Sequence, residues 1–369
     1  MRRALLLTLL LSSVVAFAVA LGAQGRRGFT ERFDHPAIQY PTAPRTDAVA
    51  DLIARAGRGE LHWPFDPDNG YLRPLLDALH VPVDSQVAVY SQTSLQASRI
   101  GEANPRAIYF NDSVAVGWVR GGSLEIAALD PRLGVSLYEV PQVASGPPRF
   151  VRGNECLQCH ITWETRGIPG FVILSTGPPD SAGYATGGYA DHRTPFARRW
   201  GGWLVTGSLG SMAHMGNVPV DQPASKRAAI PPALASLTGR FDPKGYLSMH
   251  SDVVALMVLE HQSTMANLLI WLGWQARVSE FQGVSADLSD IVRTVVDYML
   301  FVDEAPLPNP IKGSGGFTER FSSLGPKDHL SRSFHQLDLN TRLLKYPCSY
   351  MIDTACLLYT SDAADDTPC

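Results

Sequence analysis

The chain is poor in cysteine: there are five in 369 residues, and two of these, Cys356 and Cys369, sit at the C-terminal end. With no ladder of cysteine pairs, a disulfide-stapled scaffold is excluded. There is no second Cys-x-x-Cys, which a four-ligand zinc site would need. The formal net charge is −4 and no polybasic run breaks it, so neither a nucleic-acid surface nor a charged membrane face is expected. Gly187-Gly188 and the glycines of 313–316 lack the strand-then-helix setting of a phosphate-binding loop, and no Ser/His/Asp set stands out. Beyond the N-terminus no run reads as a membrane span. The apolar helix expected from Val253 to Leu272 carries Glu260, His261 and Gln262 at its centre.

The two ends are set aside from the fold. Met1-Arg2-Arg3, an uncharged Leu/Val/Ala stretch and small residues at Ala18, Ala20 and Ala23 have the three regions of a secretory signal. Cleavage after Ala20 or Ala23 fits; left uncleaved, the stretch would serve as an N-terminal membrane anchor. The expected location is periplasmic or secreted. At the other end, Cys356-Leu357-Leu358-Tyr359-Thr360-Ser361-Asp362-Ala363-Ala364-Asp365 resembles the translation of a transposase sequencing adapter, so 356–369 is expected not to pack.

Over the whole chain the composition is globular, with 45% apolar residues, and Gly (32) and Pro (27) predict many turns. Asp47 caps an expected helix that Gly57 stops, and Leu72, Leu75, Leu76 and Leu79 share one helix face. The period then changes to two. Val87–Tyr90, Ala107–Phe110, Val114–Val119, Leu124–Ala127 and Val135–Tyr138 alternate as strands, separated by Asn111-Asp112, Gly121-Gly122 and Asp130-Pro131. Phe171–Leu174 and Trp203–Val205 read as further strands. Asp252–Trp274 and Leu288–Met299 read as helices. The hexapeptide Gly28–Phe33 recurs at Gly316–Phe321, too short and isolated to be a structural period.

The chemistry centres on Cys156-Leu157-Gln158-Cys159-His160. Two thiols one helical turn apart can add to the two vinyl groups of haem, and the next residue then offers its imidazole to the iron. A chain of this composition would show the pattern by chance roughly 0.002 times. A dithiol redox couple would want a thioredoxin-like strand and helix around the pair, and zinc would want more ligands. The motif is expected to hold one covalent haem c, with His160 as proximal ligand. Pro169 lies at loop distance to take the imidazole N–H on its carbonyl. Arg198 and Arg199, with Arg193 and Trp200 and Trp203 nearby, are expected to face the propionates. For the sixth iron position Met215 is the first choice, in a loop with Gly216 and Asn217. His214, His192, His250, His261, Met249 and Met212 compete, as does an open or water-bound iron, and His261 has a second reading as a satisfied core histidine.

The pentapeptide resembles the c-type cytochromes: Cys156 and Cys159 match their thioether cysteines and His160 their proximal ligand. Over 109–217 and 252–350 the chain is also similar to a group of exported bacterial proteins with one such motif and no assigned reaction. Tyr109-Phe110-Asn111-Asp112, Arg199-Trp200-Gly201-Gly202-Trp203, His214-Met215-Gly216-Asn217 and Tyr346-Pro347-Cys348-Ser349-Tyr350 carry that likeness.

The expected fold is α+β: a signal at 1–23, an N-terminal helical lead and antiparallel meander at 24–145, a loop-rich haem c module at 146–220, and a helical region at 221–355. The expected function is electron transfer by an exported monohaem c-type cytochrome with a redox partner protein and no nucleic acid. The alternatives are a haem-dependent oxidoreductase, peroxidase-like or reactive towards nitrogen oxides, and a haem-based sensor, both with an open sixth position.

Overall fold

In the computed structural model of the chain, residues 34–179, 185–219, 231 and 233–354 are described. The expected signal at 1–23, the first copy of the hexapeptide and the 356–369 tail lie outside them.

The fold is α+β, with an N-terminal helix, a β-rich middle and C-terminal helices. Its centre is a seven-stranded antiparallel sheet, in the order β6-β5-β4-β3-β2-β1-β9. The strands are β1 (Val87–Val89), β2 (Arg106–Phe110), β3 (Val114–Trp118), β4 (Leu124–Asp130), β5 (Gly134–Val140), β6 (Val151–Arg152) and β9 (Trp203–Leu204). The five-strand meander follows from the alternation. Both edge strands come from 146–220, so the sheet crosses the boundary at 145. A two-stranded hairpin, β7 (Leu174–Pro179) and β8 (Ala185–Tyr189), stands apart from it.

Side chains alternate across the sheet, which gives it two unlike faces. Ala107, Tyr109, Val114, Val116, Trp118, Leu124, Ile126 and Ala128 pack beneath α1 (Ala48–Gly57) and α2 (Leu72–Ala78), meeting Val49, Leu52, Leu72, Leu75 and Leu76. Asp47 caps α1, its Oδ1 accepting from the N–H groups of Val49 and Ala50, and its Oδ2 accepts from the Tyr138 hydroxyl at 2.8 Å. One carboxylate thus satisfies a helix end and ties it to β5. The opposite face carries Ile108, Ala115, Gly117, Glu125, Ala127 and Leu137, and turns towards the Cys156–His160 motif, α3 (Leu157–His160).

The helix α4 (Val253–Phe281) is the backbone of the C-terminal half. It is long and apolar enough to cross a membrane, but every residue from Val253 to Ile270 is buried inside the protein. A helix apolar all round belongs in a core, and several polar side chains on this one find partners there. Gln262 donates to the Asn111 carbonyl at 2.8 Å and accepts from the Tyr350 hydroxyl at 2.7 Å. Asn267 grips the backbone of Phe171, accepting from its N–H at 2.9 Å and donating to its carbonyl at 2.8 Å. α5 (Ser289–Met299) packs beside α4, and the second copy of the hexapeptide forms most of α6 (Phe317–Ser323).

Asp252 begins α4 and is fully buried. Its Oδ1 accepts from the Val254 N–H at 2.8 Å, and its Oδ2 accepts from the N–H groups of Ser314 and Gly315 at 2.7 and 2.8 Å. Asp252→Ala strands these donors where water does not reach. The expected loss is about 2 kcal/mol or more in urea unfolding, with Asp252→Asn losing less.

Candidate functional site

The pentapeptide forms one turn of helix. The N–H groups of Cys159 and His160 both donate to the Cys156 carbonyl at 3.1 Å. Cys156 is half-buried, Cys159 is exposed, and neither is in a disulfide. Burial pushes the Cys156 thiol above its ordinary pKa, and nearby Glu125 adds to this.

His160 is held by the chain ten residues on. Its carbonyl accepts from the Gly170 N–H at 2.9 Å, and its Nδ1 lies 2.8 Å from the Gly170 carbonyl. A carbonyl can only accept, so Nδ1 carries the hydrogen and Nε2 keeps the lone pair. Burial lowers the pKa of the imidazole, which favours this neutral form. A neutral histidine with one nitrogen fixed and the other basic is what a metal ligand requires. Gly170 permits the clamp because a Cβ there would stand 2.5 Å from the Asn267 Oδ1 that holds Phe171.

His160 lines a cavity of about 450 Å³ between this turn, the sheet and α4. The volume is in the range of small-molecule and cofactor sites. Phe171, Ile173, Leu174, Trp203 and Leu259 make its apolar walls, and the sheet contributes Ile108, Ala115, Gly117, Ala127 and Leu137. The small residues at 115, 117 and 127 leave space beside the motif where larger ones would fill it. Two free thiols, a basic imidazole nitrogen and an adjoining apolar cavity fit a covalently bound tetrapyrrole. Among the described residues no three His, Cys, Asp or Glu side chains gather to hold a bare metal ion, so zinc lacks a ligand set.

The cavity also has a polar wall, which the sequence reading missed. Arg106 on β2 reaches across β3 to Glu125 on β4, with Nη2 2.7 Å from the carboxylate. Gly117 lies directly opposite Glu125 in the register, and a Cβ there would stand 2.4 Å from that Nη2. Ser94 donates its hydroxyl to the same carboxylate at 3.0 Å. All four residues line the cavity. Both charges also act on the His160 imidazole, Arg106 lowering its pKa and Glu125 raising it.

The other expected site residues lie elsewhere. The Pro169 carbonyl accepts from the Val135 N–H at 2.8 Å, so the imidazole N–H goes one residue further, to Gly170. Arg198 is exposed and does not line the cavity. Arg199 is buried and fully engaged: Nε donates to the Thr194 carbonyl at 2.6 Å, Nη2 to the His192 carbonyl at 2.6 Å, and Nη1 to Glu260 at 3.3 Å. Trp200 is buried against Phe196 and His214, with a left-handed backbone at φ +68°. None of the three is placed to meet a propionate in this cavity.

The same holds for the sixth-ligand candidates. Every histidine, and every methionine except Met1, lies within the described residues, and of these only His160 lines the cavity. The Met215 sulfur faces the Ser175 hydroxyl at 3.9 Å. His214 is buried, its Nδ1 accepts from the Gly216 N–H at 3.1 Å, and burial takes its pKa down to about 4. His192 and His261 meet through their Nδ1 atoms at 2.8 Å, and the His261 Nε2 pairs with the Ser349 hydroxyl at 2.7 Å. Burial drives the pKa of His192 to about 2 and that of His261 well below the ordinary value. His261 is therefore a satisfied core histidine. Met212 is in the core, Met249 packs against a separate small cluster, and His250 lies beside Gly315.

No family model, no curated protein and no solved structure matches this chain, so the likeness stays with the motif and the geometry around it.

Proposed function

We propose that the chain is an exported c-type haem protein that takes up and gives back electrons through one covalently attached haem. The observation that carries this reading is the coincidence of Cys156, Cys159 and a fixed, neutral His160 with an apolar cavity on the same turn. Cys156 and Cys159 would hold the vinyl-derived carbons and His160 Nε2 the iron. When bound, the haem supplies one-electron chemistry. The apolar walls keep water from it, and the Gly170 carbonyl raises the basicity of the imidazole. A secretory signal and a redox partner belong to the same reading, since covalent attachment takes place outside the cytoplasm.

A second reading, haem chemistry on an exogenous ligand, is favoured by one observation: among the described residues no histidine or methionine besides His160 lines the cavity. It keeps the same cofactor and changes only what the iron meets.

The test is expression with the cytochrome c maturation machinery. The expected product stains for haem after denaturing electrophoresis, and its alkaline pyridine spectrum is that of a haem with both vinyl groups saturated. A colourless band from folded protein would overturn the proposal.

A further inference from the structure

We propose that the wall formed by Arg106, Glu125 and Ser94 receives a small weak acid of the hydrazoic, hydrocyanic or nitrous type and holds its anion at an open sixth position of the iron. This rests on the haem reading above. The H–X bond breaks with its electron pair staying on X; the proton passes to the Glu125 carboxylate, and Arg106 donates a hydrogen bond to X⁻. No oxidation or reduction is involved.

Three observations lead to this assignment. First, the side chains that would close the sixth position are committed elsewhere. Met215 rests on Ser175, His214 on the Gly216 N–H, and His192 and His261 on each other and on Ser349. Among the described residues the cavity wall offers the iron no second imidazole or thioether.

Second, the ion pair is out of keeping with its surroundings. It shares its sheet face with Ile108, Ala115, Ala127 and Leu137 and with the exposed Glu139 directly opposite Glu125, and each side chain of the pair is only about one-fifth exposed (22% and 21%). Placing two charges there costs desolvation that an apolar pair of similar volume would avoid. The pair also bears on a third strand, because a Cβ at 117 would stand 2.4 Å from the Arg106 Nη2 and the guanidinium would have to shift. Stability alone gives no reason for this arrangement.

Third, the pair has the complementarity that the ligand class needs. A weak acid binds to ferric iron as its anion, so it needs an acceptor for the proton and a donor for the charge that remains. The Glu125 carboxylate and the Arg106 guanidinium supply these side by side, and the Arg106 Nε has no hydrogen-bond partner among the described residues. Polar groups beside an open iron decide which exogenous ligands it accepts.

The experiment uses the matured haem protein. The ferric form is titrated with azide and with cyanide, and the ferrous form with carbon monoxide, which is neutral and carries no proton. The wild type is expected to be high-spin and to bind all three. Arg106→Gln should weaken azide and cyanide by about tenfold or more while carbon monoxide changes little, because a hydrogen bond to a charged group is lost. Gly117→Ala keeps both charges but displaces the guanidinium, and should shift azide in the same direction. Glu125→Gln should slow cyanide association, since the proton has lost its acceptor. A low-spin ferric spectrum indifferent to azide would overturn the open position while leaving the haem reading intact. Azide affinity unchanged in both Arg106→Gln and Gly117→Ala, or lost in equal proportion with carbon monoxide, would overturn the role of the wall. Wild-type protein that carries no haem would count against the haem reading instead.

Discussion

Changing Cys156 and Cys159 together to alanine is expected to remove all haem that survives denaturing electrophoresis while leaving the polypeptide folded. Each thioether needs one of these sulfurs, and among the described residues no other cysteine lines the cavity. The fold asks little of them. Cys159 is exposed, Cys156 is half-buried, and neither takes part in a disulfide. Truncating Cys156 gives up part of one small buried side chain, about 1 kcal/mol or less. The urea midpoint of the unloaded double variant should therefore match that of the unloaded parent. Single variants keep one thioether and should stain, with one unsaturated vinyl left in the alkaline pyridine spectrum. Retention of the stain in the double variant would mean that the haem is held elsewhere, and the assignment of the pentapeptide would fall.

The meander was legible because its strands alternate and the turns between them are strong. Asp47 caps α1 as expected, the helix runs on through Gly57 to a C-cap at Arg58, and Asp252 opens α4. The helical turn of the Cys156–His160 pentapeptide was legible because it is local: five consecutive residues form it. What the sequence did not reveal depends on contacts between distant segments. Arg199 reads as a cation available for a propionate, yet in the fold it is enclosed by Thr194, His192 and Glu260, the last sixty-one residues away. Met215 sits in a loop of the right kind, but that loop is drawn to the Arg199 carbonyl through the Met215 N–H at 2.9 Å. Pro169 missed by one residue, because the turn after His160 presents the Gly170 carbonyl instead. The polar wall did leave a trace. Arg106 and Glu125 fall on the alternate positions shared with Ile108, Ala115, Gly117 and Ala127, so a half-buried ion pair sits among small and apolar residues, with the exposed Glu139 opposite Glu125. Reading each strand for charge on its inward face would have picked out the pair.

Arg199→Leu is expected to destabilise the protein by about 3–5 kcal/mol, with a deficit that widens in alkaline solution. Leucine fills much of the volume but cannot donate, so the Thr194 and His192 carbonyls and the Glu260 carboxylate all lose their buried partner. Glu260 is fully buried, and burial raises its pKa from 4.5 to about 7 even though Arg199 pulls the other way. A carboxyl raised on folding binds its proton more tightly in the native state. Its contribution is complete below about pH 4.5 and is lost as the pH rises towards 7, so the wild type should lose stability across that interval and then level off. Without Arg199 the native pKa of Glu260 must climb further, and the loss continues above pH 7, where the wild type is already level. Urea unfolding of both proteins at pH 6 and pH 8.5 tests this. The gap between them should be larger at pH 8.5, and Arg199→Leu with Glu260→Leu should close most of the added difference, because no buried carboxyl remains to ionise. A gap that stays the same or narrows at pH 8.5 would show that Glu260 ionises freely without its arginine, and that the pair is not what holds the long helix against the 192–200 segment.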